Sequence, residues 1–352
     1  MQSFAQAVAS WQLAAGRLDL PWQKFSSPYE RLVSEVMLQQ TQVDTVIPYF
    51  QRFLEKFPTV EALAEAAEDD VFALWAGLGY YTRAANLRKA ARYVVEELHG
   101  CFPTDAEGLL ALPGVGPSTA AAVAAFTSGE AKHPMIDGNV KRVLSRVFLI
   151  DGRIGEKSFE KAVAERAYRE LPESEIISPY TQGLMDLGSG VCKRTKPLCD
   201  ACPVAQMCRA RRTSDPSQYP GKRLPPKRTE MRVALAFVVD QRGVWLQKIN
   251  RSIWKGLWTP PCGMWSASEV SEAKIEVFLS ELRGEVGSAH IESERSLSVF
   301  AHDLTHRRLY VEPYVFVVKG LEILTGCEHF AFEALPGVPK PVAAVLSQLA
   351  LD

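Results

Sequence analysis

Apolar positions in the first two thirds of the chain recur at the spacing of a helix with one buried face. The spacing is clearest in two groups, Tyr29, Leu32, Val33 and Val36, and then Val140, Val143, Leu144 and Val147. Segments rich in glycine and proline, such as residues 112–117, separate the periodic stretches. The pattern therefore predicts that residues 1–208 are almost entirely helical.

The last third of the chain has the pattern of strands. Residues 233–240 and 243–249 predict two strands joined by a turn, residues 311–319 predict another strand, and residues 268–283 predict a helix. We therefore expect an α+β domain over residues 232–352.

The stretch between these two regions, residues 209–231, differs from both. It carries seven basic side chains against two acidic ones, with four prolines and few apolar positions. This composition is typical of a linker, and its charge favours contact with a phosphate backbone. The predicted organisation is a multidomain chain, with a helical domain over residues 1–208, a basic linker, and the α+β domain.

Composition narrows the class of protein. The chain has 352 residues, of which 47% are apolar and 23% charged, as in globular proteins of more than one domain. Its 40 basic and 41 acidic residues nearly cancel, so binding to a polyanion would depend on local patches. The apolar stretches are far shorter than the roughly 18 residues that span a bilayer, and the N-terminus lacks the pattern of a secretory signal. We expect an intracellular protein that does not bind membranes.

Four of the seven cysteines lie within seventeen positions, at Cys192, Cys199, Cys202 and Cys208. Clustered thiols in a reducing compartment are typical of metal ligands rather than of disulfides. Zinc sites usually contain two CxxC pairs, whereas this cluster has one CxxC pair and two longer spacers. The spacing therefore favours a [4Fe-4S] cluster over the two alternatives, which are zinc and four buried free thiols.

Two segments have features of phosphate-binding sites. The first spacer of the cysteine cluster contains the basic residues Lys193, Arg194 and Lys196. Gly114 and Gly116 precede an alanine-rich helix predicted from residue 118, so backbone N–H groups would point outwards at a helix N-terminus, where an anion is favoured. The alternatives are a solvated loop and an ordinary turn between helices.

Two carboxylates stand in unusual surroundings. Glu35 is predicted to share a helix face with Gln39 and Gln42 beside the apolar stripe, where burial would raise the pKa of the carboxyl group. Asp137 precedes the helix predicted from residue 140, where an ionised carboxylate would cap the helix. Carboxyl groups in two different environments are suited to breaking a glycosidic bond, one as an acid and one as an anion. A solvated glutamate and a simple helix cap are the alternatives.

Five motifs then occur in order along the chain. They are SEVMLQQTQV, WAGLGYYTRAANL, LPGVGPSTA, IDGNVKRVLSR and the four-cysteine cluster. Together they resemble the helix-hairpin-helix DNA glycosylases of the endonuclease III superfamily, and most closely the MutY-type adenine DNA glycosylases. The resemblance implies an all-α helix-hairpin-helix core over about residues 25–130, and an iron–sulfur lobe formed by residues 1–24 and 131–208. It also implies a Nudix-like C-terminal domain.

The resemblance implies a substrate and an action. MutY-type enzymes extrude adenine mispaired with 8-oxoguanine or guanine from double-stranded DNA and hydrolyse its glycosidic bond. Glu35 matches the acid that protonates adenine, and Asp137 matches the carboxylate that stabilises the sugar cation, with Asn139 beside it. Trp22, Gln23 and Ser118 match the adenine pocket. Gln39, Gln40 and Tyr80 match residues that probe the duplex.

Position 118 separates two subfamilies. Related glycosylases that also cleave the strand carry a lysine there, which forms a Schiff base with the sugar. Ser118 stands at this position, so we expect a monofunctional enzyme. Separately, we expect the protein to act as a monomer. A thymine-mismatch or endonuclease III-like glycosylase/lyase is disfavoured by Ser118 and by the long C-terminal region. A non-catalytic DNA-binding protein is disfavoured by the presence of both carboxylates.

The C-terminal domain departs from the family pattern at two places. From Gly263, a hydrolytic Nudix motif would continue through Glu269 to an Arg-Glu pair, but Val277 and Phe278 stand there, so nucleotide hydrolysis is not expected. The loop that recognises 8-oxoguanine in the family contains Phe-Ser-His. The corresponding residues here are Leu304, Thr305 and His306, and an incidental surface position is the alternative for His302 and His306.

Overall fold

The computed structural model describes residues 2–213, 215–222, 228–251, 253–287 and 290–349. The chain forms two compact units. One comprises Met1–Glu65 and Asn86–Leu224, and the other comprises Ala66–Ala85 and Pro225–Asp352. This division differs from the sequence-based one, because residues 66–85 belong to the same unit as the C-terminal residues.

Helices account for almost all regular structure up to residue 213, as predicted. They are α1 (Phe4–Ala15), α2 (Pro28–Leu38), α3 (Val43–Lys56), α4 (Val60–Glu65), α5 (Glu68–Trp75), α6 (Thr82–Glu96), α7 (Ala106–Leu110), α8 (Pro117–Thr127), α9 (Gly138–Phe148), α10 (Lys157–Arg169), α11 (Ser174–Asp186) and α12 (Arg209–Thr213). None of the helices in the described residues combines the length and the apolar character needed to cross a bilayer.

Local sequence explains where the helices that frame the later site begin. Ser27 caps α2 by accepting a hydrogen bond from Tyr29 N at 3.3 Å, and proline occupies the first position of both α2 and α8. The two helices predicted from residues 118 and 140 begin at Pro117 and Gly138. The first unit has a large apolar cluster that joins α1 to α8, α9, α10 and α11. This core fixes the helices on which the site is built.

The predicted linker is shorter than expected at both ends. Residues Arg209–Thr213 form α12, whose Ala210 is fully buried against the core of the first unit, and Thr229 already starts a strand. A single apolar residue in the basic run is enough to attach this turn of helix to the core. Arg223 and Lys227 lie outside the described residues.

The C-terminal residues form a mixed sheet. Its strands are β1 (Thr229–Val239), β2 (Gly243–Lys248), β3 (Trp258–Thr259), β4 (Cys262–Ser266), β5 (Ile291–Ser296), β6 (Phe300–Asp303), β7 (Arg307–Val318) and β8 (Glu328–Ala331). The central strands β1 and β7 pair in parallel, and the other pairs are antiparallel. The predicted strands are therefore found, with ends that differ by a few residues.

Alternate residues of β1 face opposite sides of the sheet. Val233, Leu235 and Phe237 face a core that includes α14 (Lys340–Leu349), whereas Ala234 and Ala236 face a core that includes α13 (Glu272–Val286). The sheet is therefore covered by a helix on each side. The helix predicted over residues 268–283 begins four residues later, because Ser271 caps it by accepting from Lys274 N at 3.4 Å.

Helix α5 also belongs to this second unit. Phe72 is 2% exposed and lies so close to Gly337 that a Cβ at that glycine would be 2.7 Å from Phe72 Cβ. Asp69 accepts hydrogen bonds from Lys248 Nζ at 2.7 Å and from Trp258 Nε1 at 3.1 Å. These contacts connect α5 to the C-terminal residues of the second unit.

Candidate active-site cleft and thiol cluster

An open cleft of about 870 Å³ in the first unit contains the two singled-out carboxylates. Its polar and aromatic lining residues are Arg17, Trp22, Glu35, Gln39, Gln40, Thr41, Gln42, Asp44, Ser118, Thr119, Asp137, Asn139, Gln182 and Ser189. They come from α2, the starts of α3, α8 and α9, and the end of α11, and from the segments between helices. Residues that are far apart in sequence therefore meet in one concave surface large enough for a nucleobase.

Glu35 lies on α2 at the inner wall of the cleft. Burial, together with the negative charge of Asp137, raises the pKa of its carboxyl group to about 7, and the charge of Arg31 opposes this only partly. At neutral pH Glu35 therefore carries a proton in a large fraction of molecules, as a general acid requires.

Asp137 caps α9 and is held by two donors. Its Oδ1 accepts from Val140 N at 2.7 Å, and its Oδ2 accepts from Asn139 Nδ2 at 3.2 Å. Both hydrogen bonds fix the carboxyl group at the N-terminus of α9. The interpretation as a helix cap is therefore confirmed, and the same hydrogen bonds fix the Asp137 carboxyl group in the cleft that also contains Glu35.

The glutamines after Glu35 do not continue its helix face. Helix α2 ends at Leu38, and Gln40 adopts a left-handed backbone conformation with φ of 57°. The predicted helical alignment of Gln39 and Gln42 with Glu35 is therefore wrong. The turn nevertheless returns all three glutamines to the cleft wall, where Gln39 Nε2 donates to Thr119 Oγ1 at 3.3 Å.

The residues matched to the adenine pocket have different surroundings. Trp22 is 3% exposed, lines the cleft and packs edge-on against Phe50. Ser118 lines the cleft and accepts from Ile136 N at 3.2 Å. Gln23 is not among the lining residues, and its amide nitrogen donates to Arg17 O at 2.9 Å.

The glycine loop before α8 has the predicted form. Gly114 has a φ of 77°, and a Cβ there would lie 2.4 Å from Asn86 Cβ. Gly116 occupies the N-cap position of α8, and no heavy atom lies within 4 Å of the position that its Cβ would take. Only Gly114 is therefore required by backbone conformation and close packing, while Gly116 leaves the helix N-terminus open.

Sequence analysis did not single out three polar residues of the cleft wall, Arg17, Gln182 and Ser189. Arg17 Nη2 donates to Ser189 Oγ at 3.0 Å and forms an ion pair with Asp186. The pairing spans 169 residues of sequence, so no local pattern could have predicted it.

The four clustered cysteines line one cavity, whose other walls are mainly apolar. Among the described residues, no group of three or more His, Cys, Asp or Glu side chains is arranged to hold a metal ion. Arg146, which is 1% exposed, donates from Nη1 to Cys192 Sγ at 3.3 Å. Its guanidinium also donates to the carbonyl oxygens of Lys193 and Arg194 at 2.7 and 2.8 Å. These hydrogen bonds hold the basic loop, while the side chains of Lys193, Arg194 and Lys196 are exposed.

A second arginine connects the cysteine segment to the cleft. Arg142 donates to Cys192 O at 2.8 Å, to Gly188 O at 2.7 Å and to Asn139 Oδ1 at 2.8 Å. Asn139 in turn donates to Asp137. The first cysteine and the cleft carboxylate are therefore joined by a continuous chain of hydrogen bonds.

The remaining predicted site residues belong to the second unit. Tyr80 is 49% exposed, with a left-handed φ of 49° and the Arg83 guanidinium 5.6 Å from its ring centre. Residues 304–306 form the turn between β6 and β7, where Leu304 packs against the sheet core and Thr305 and His306 are exposed. Gly263 lies in β4, and Val277 and Phe278 lie on α13.

Comparison with known proteins identifies the class of protein that has this fold. Residues 33–168 match the HhH-GPD superfamily of base excision DNA repair proteins. The solved structure of a thermostable thymine-DNA glycosylase superposes with a TM-score of 0.52 at 27% identity, covering 59% of this chain and 95% of that one. The fold and the cleft thus define a helix-hairpin-helix DNA glycosylase of base excision repair.

Comparison of the full-length chain with related proteins identifies the family within this class. The adenine DNA glycosylase of Buchnera aphidicola subsp. Schizaphis graminum (strain Sg) is 33% identical over 359 aligned residues, which cover 97% of both chains. The adenine DNA glycosylase of Homo sapiens is 32% identical and covers 90% of this chain and 67% of its own. The chain belongs to the adenine DNA glycosylase family. Members of this family are DNA N-glycosylases, which hydrolyse the bond between base and sugar.

Proposed function

We propose that the enzyme removes adenine mispaired with 8-oxoguanine or guanine in double-stranded DNA, and that it does so without strand cleavage. One observation carries this proposal. Glu35 and Asp137 share one cleft, where the raised pKa of Glu35 suits an acid and two hydrogen bonds fix the Asp137 carboxyl group, an arrangement suited to departure of a base. Proton transfer from Glu35 to the base is worth about 10²–10⁴-fold in rate, and the Asp137 anion stabilises the positive charge that develops on the sugar.

The monofunctional part of the proposal depends on Ser118. No lysine is among the residues that line the described cleft, so no side-chain amine is available there to attack the sugar. The test is a duplex with one adenine opposite 8-oxoguanine, incubated with the purified protein with and without subsequent alkali. Strand breakage only after alkali is the expected result. Breakage without alkali would contradict the monofunctional assignment.

We infer that Cys192, Cys199, Cys202 and Cys208 hold a [4Fe-4S] cluster. The donor set is composed of thiols alone and lines one largely apolar cavity, which suits iron–sulfur ligation. A bound cluster would supply covalent anchorage for the loop that carries Lys193, Arg194 and Lys196. We expect these side chains and the N-terminus of α8 to contact DNA phosphates.

This inference is tested with two cysteine variants of the full-length protein. Cys199→Ser is expected to lose the visible absorbance of the cluster together with DNA affinity. Cys101→Ser, at an exposed position outside the cluster, is the matched control and should retain both. Retention of both properties by Cys199→Ser would contradict the assignment.

For the second unit we propose a Nudix-like module that recognises 8-oxoguanine through the turn of Leu304, Thr305 and His306. The exposed hydroxyl and imidazole at the tip of this turn support the proposal. Replacement of both by alanine should lower the preference for 8-oxoguanine over guanine opposite adenine. If the excision rate fell by the same factor on both mispairs, the turn would have no role in recognising 8-oxoguanine.

A further inference from the structure

A buried arginine lies one helical turn before Glu35 on α2. Arg31 is 8% exposed and is not among the residues that line the cleft. Side chains four positions apart share one face of a helix, so the Arg31 guanidinium and the Glu35 carboxyl group lie on the same side of α2. Removing a charged group from water is costly unless it is compensated, so the contacts of Arg31 indicate what its charge does.

Three contacts fix the Arg31 side chain. Nε donates to Phe25 O at 3.0 Å, Nη2 donates to Gln23 O at 3.4 Å, and the guanidinium lies 4.9 Å from the centre of the Phe126 ring on α8. The two carbonyl oxygens belong to residues just after Trp22, which is buried and lines the cleft. Arg31 therefore ties the turn that carries Trp22 to α2.

Proton transfer changes the charge next to Arg31. Glu35 gives its proton to a ring nitrogen of the base, the electron pair of the glycosidic bond passes to the base, and a buried carboxylate remains beside the charge of Asp137. Burial and Asp137 both raise the pKa of Glu35, whereas the positive charge of Arg31 lowers it. Glu35 in turn raises the pKa of Arg31, which burial lowers. The charge of Arg31 therefore stabilises the carboxylate that proton transfer produces.

The other charged side chains near α2 and the cleft are placed differently. Lys24 in the turn and Asp44 at the start of α3 are exposed. Arg17 is paired with a buried carboxylate, and Arg142 donates to a neighbouring side-chain amide at 2.8 Å. Arg31 is therefore the buried cation that follows the same helix face as the acid.

We propose that Arg31 is a positioning residue with two actions: it offsets the negative charge that Glu35 acquires on giving up its proton, and it fixes the turn that carries Trp22 against α2. The proposal rests on the role of Glu35 as the acid of the reaction. Arg31 does not line the cleft, so it acts through Glu35 and Trp22 and does not touch the base.

The test measures single-turnover excision of adenine opposite 8-oxoguanine between about pH 5.5 and about pH 9.5 with the full-length protein. Arg31→Gln removes the charge but keeps a donor for a backbone carbonyl group. The midpoint of the decline in rate should then rise by about one pH unit, and the rate at low pH should fall, because a weaker acid gives up its proton less readily. Arg31→Lys keeps the charge and loses the planar fork, so its midpoint should stay near that of the wild type while its rate falls at every pH.

Arg52→Gln is the matched control. Arg52 lies on α3, is exposed, and has its guanidinium 4.7 Å from the centre of the Tyr49 ring. Its replacement removes one positive charge and one contact with an aromatic ring, so its midpoint should equal that of the wild type. An unchanged midpoint in Arg31→Gln, with a lower rate at every pH, would indicate a purely structural role and overturn the proposal. Should Arg31→Gln fail to fold, Arg31→Met is also uncharged and is judged by the same midpoint.

Failure of the assignment of Glu35 as the acid would give a different result. Wild-type excision would then show no decline as the pH rises through about 7, and excision would survive Glu35→Gln. A wild-type decline that keeps the same midpoint in Arg31→Gln would overturn only the role of Arg31.

Discussion

At the scale of single residues, the cleft separates two carboxyl groups that are chemically almost identical. Glu35 lies where burial and the nearby charge of Asp137 favour the protonated form. Asp137 instead accepts hydrogen bonds from the Val140 backbone N–H and from the Asn139 amide. The different roles that we propose for them therefore follow from their neighbours and not from their types.

The first prediction concerns the pH dependence of Glu35. Because its pKa is raised to about 7, the acid is protonated below this value, and excision by the wild type should decline as the pH rises through it. Glu35→Gln should lose about 10²–10⁴-fold in single-turnover rate while retaining mismatch binding. A rate that is independent of pH between about 5.5 and 8.5 would contradict the assignment.

The same raised pKa predicts an effect on stability. A carboxyl group whose folded-state pKa is above 4.5 stabilises the fold below about pH 4.5, and this contribution is lost as the pH rises through about 7. Glu35→Gln carries no such charge. Relative to the wild type, its free energy of unfolding should therefore improve between about pH 5 and about pH 8.5, by about 2–3 kcal/mol at most. Denaturant titrations of both proteins at the two pH values measure the difference.

Two substitutions separate the roles of Asp137. Asp137→Asn retains a side-chain oxygen that caps α9 but removes the charge, so excision should fall steeply with little change in Tm. Asp137→Ala removes both the cap and the charge, and it should cost a further ~1 kcal/mol of stability. Equal excision by Asp137→Asn and wild type would exclude the anion from the reaction.

At the scale of elements, the site is built from helix ends. The N-termini of α8 and α9 and the C-termini of α2 and α11 all reach the cleft, and each end leaves backbone groups that the helix itself cannot satisfy. After α11 the chain widens into a π-turn over Leu187–Val191, whose Gly188 carbonyl accepts from Arg142. Such ends supply polar groups in fixed positions.

The two glycines before α8 should respond differently to alanine. Gly114→Ala places a Cβ 2.4 Å from Asn86 in a left-handed backbone conformation, so we expect a loss of more than ~1 kcal/mol in stability. Gly116→Ala meets no atom and should change Tm little. Thermal melting of both variants tests this, and equal Tm values would contradict the strained conformation at Gly114.

At the scale of the whole molecule, the two units are interleaved in sequence. The chain leaves the first unit at residue 65, contributes residues 66–85 to the second, and returns at residue 86. Helix α5 is therefore a part of the C-terminal unit in structure but not in sequence. Its Phe72 and Asp69 provide the packing and the polar contacts to residues after 228.

This interleaving predicts where two core substitutions act. Phe72→Ala should open a cavity in the second unit and lower its free energy of unfolding by about 3–5 kcal/mol. Hydrogen exchange should then become faster in β2 and near residue 337. Phe53→Ala on α3, whose side chain is fully buried, is the matched control in the first unit and should speed exchange in its neighbouring helices. Faster exchange confined to the first unit in Phe72→Ala would contradict the assignment of α5.

The sequence by itself determined the local features of the protein. Apolar periodicity located α2, α9 and the strands β1, β2 and β7, and capping residues set the helix starts, because these depend on neighbours a few positions away. The motifs around Glu35, Asp137 and the cysteines likewise indicated a glycosylase. The tertiary structure alone decided that Gln39 and Gln42 reach the cleft from a turn, that Arg17 meets Asp186, and that residues 66–85 belong with the sheet. Each of these depends on contacts between residues distant in sequence, for which a single chain contains no periodic signal.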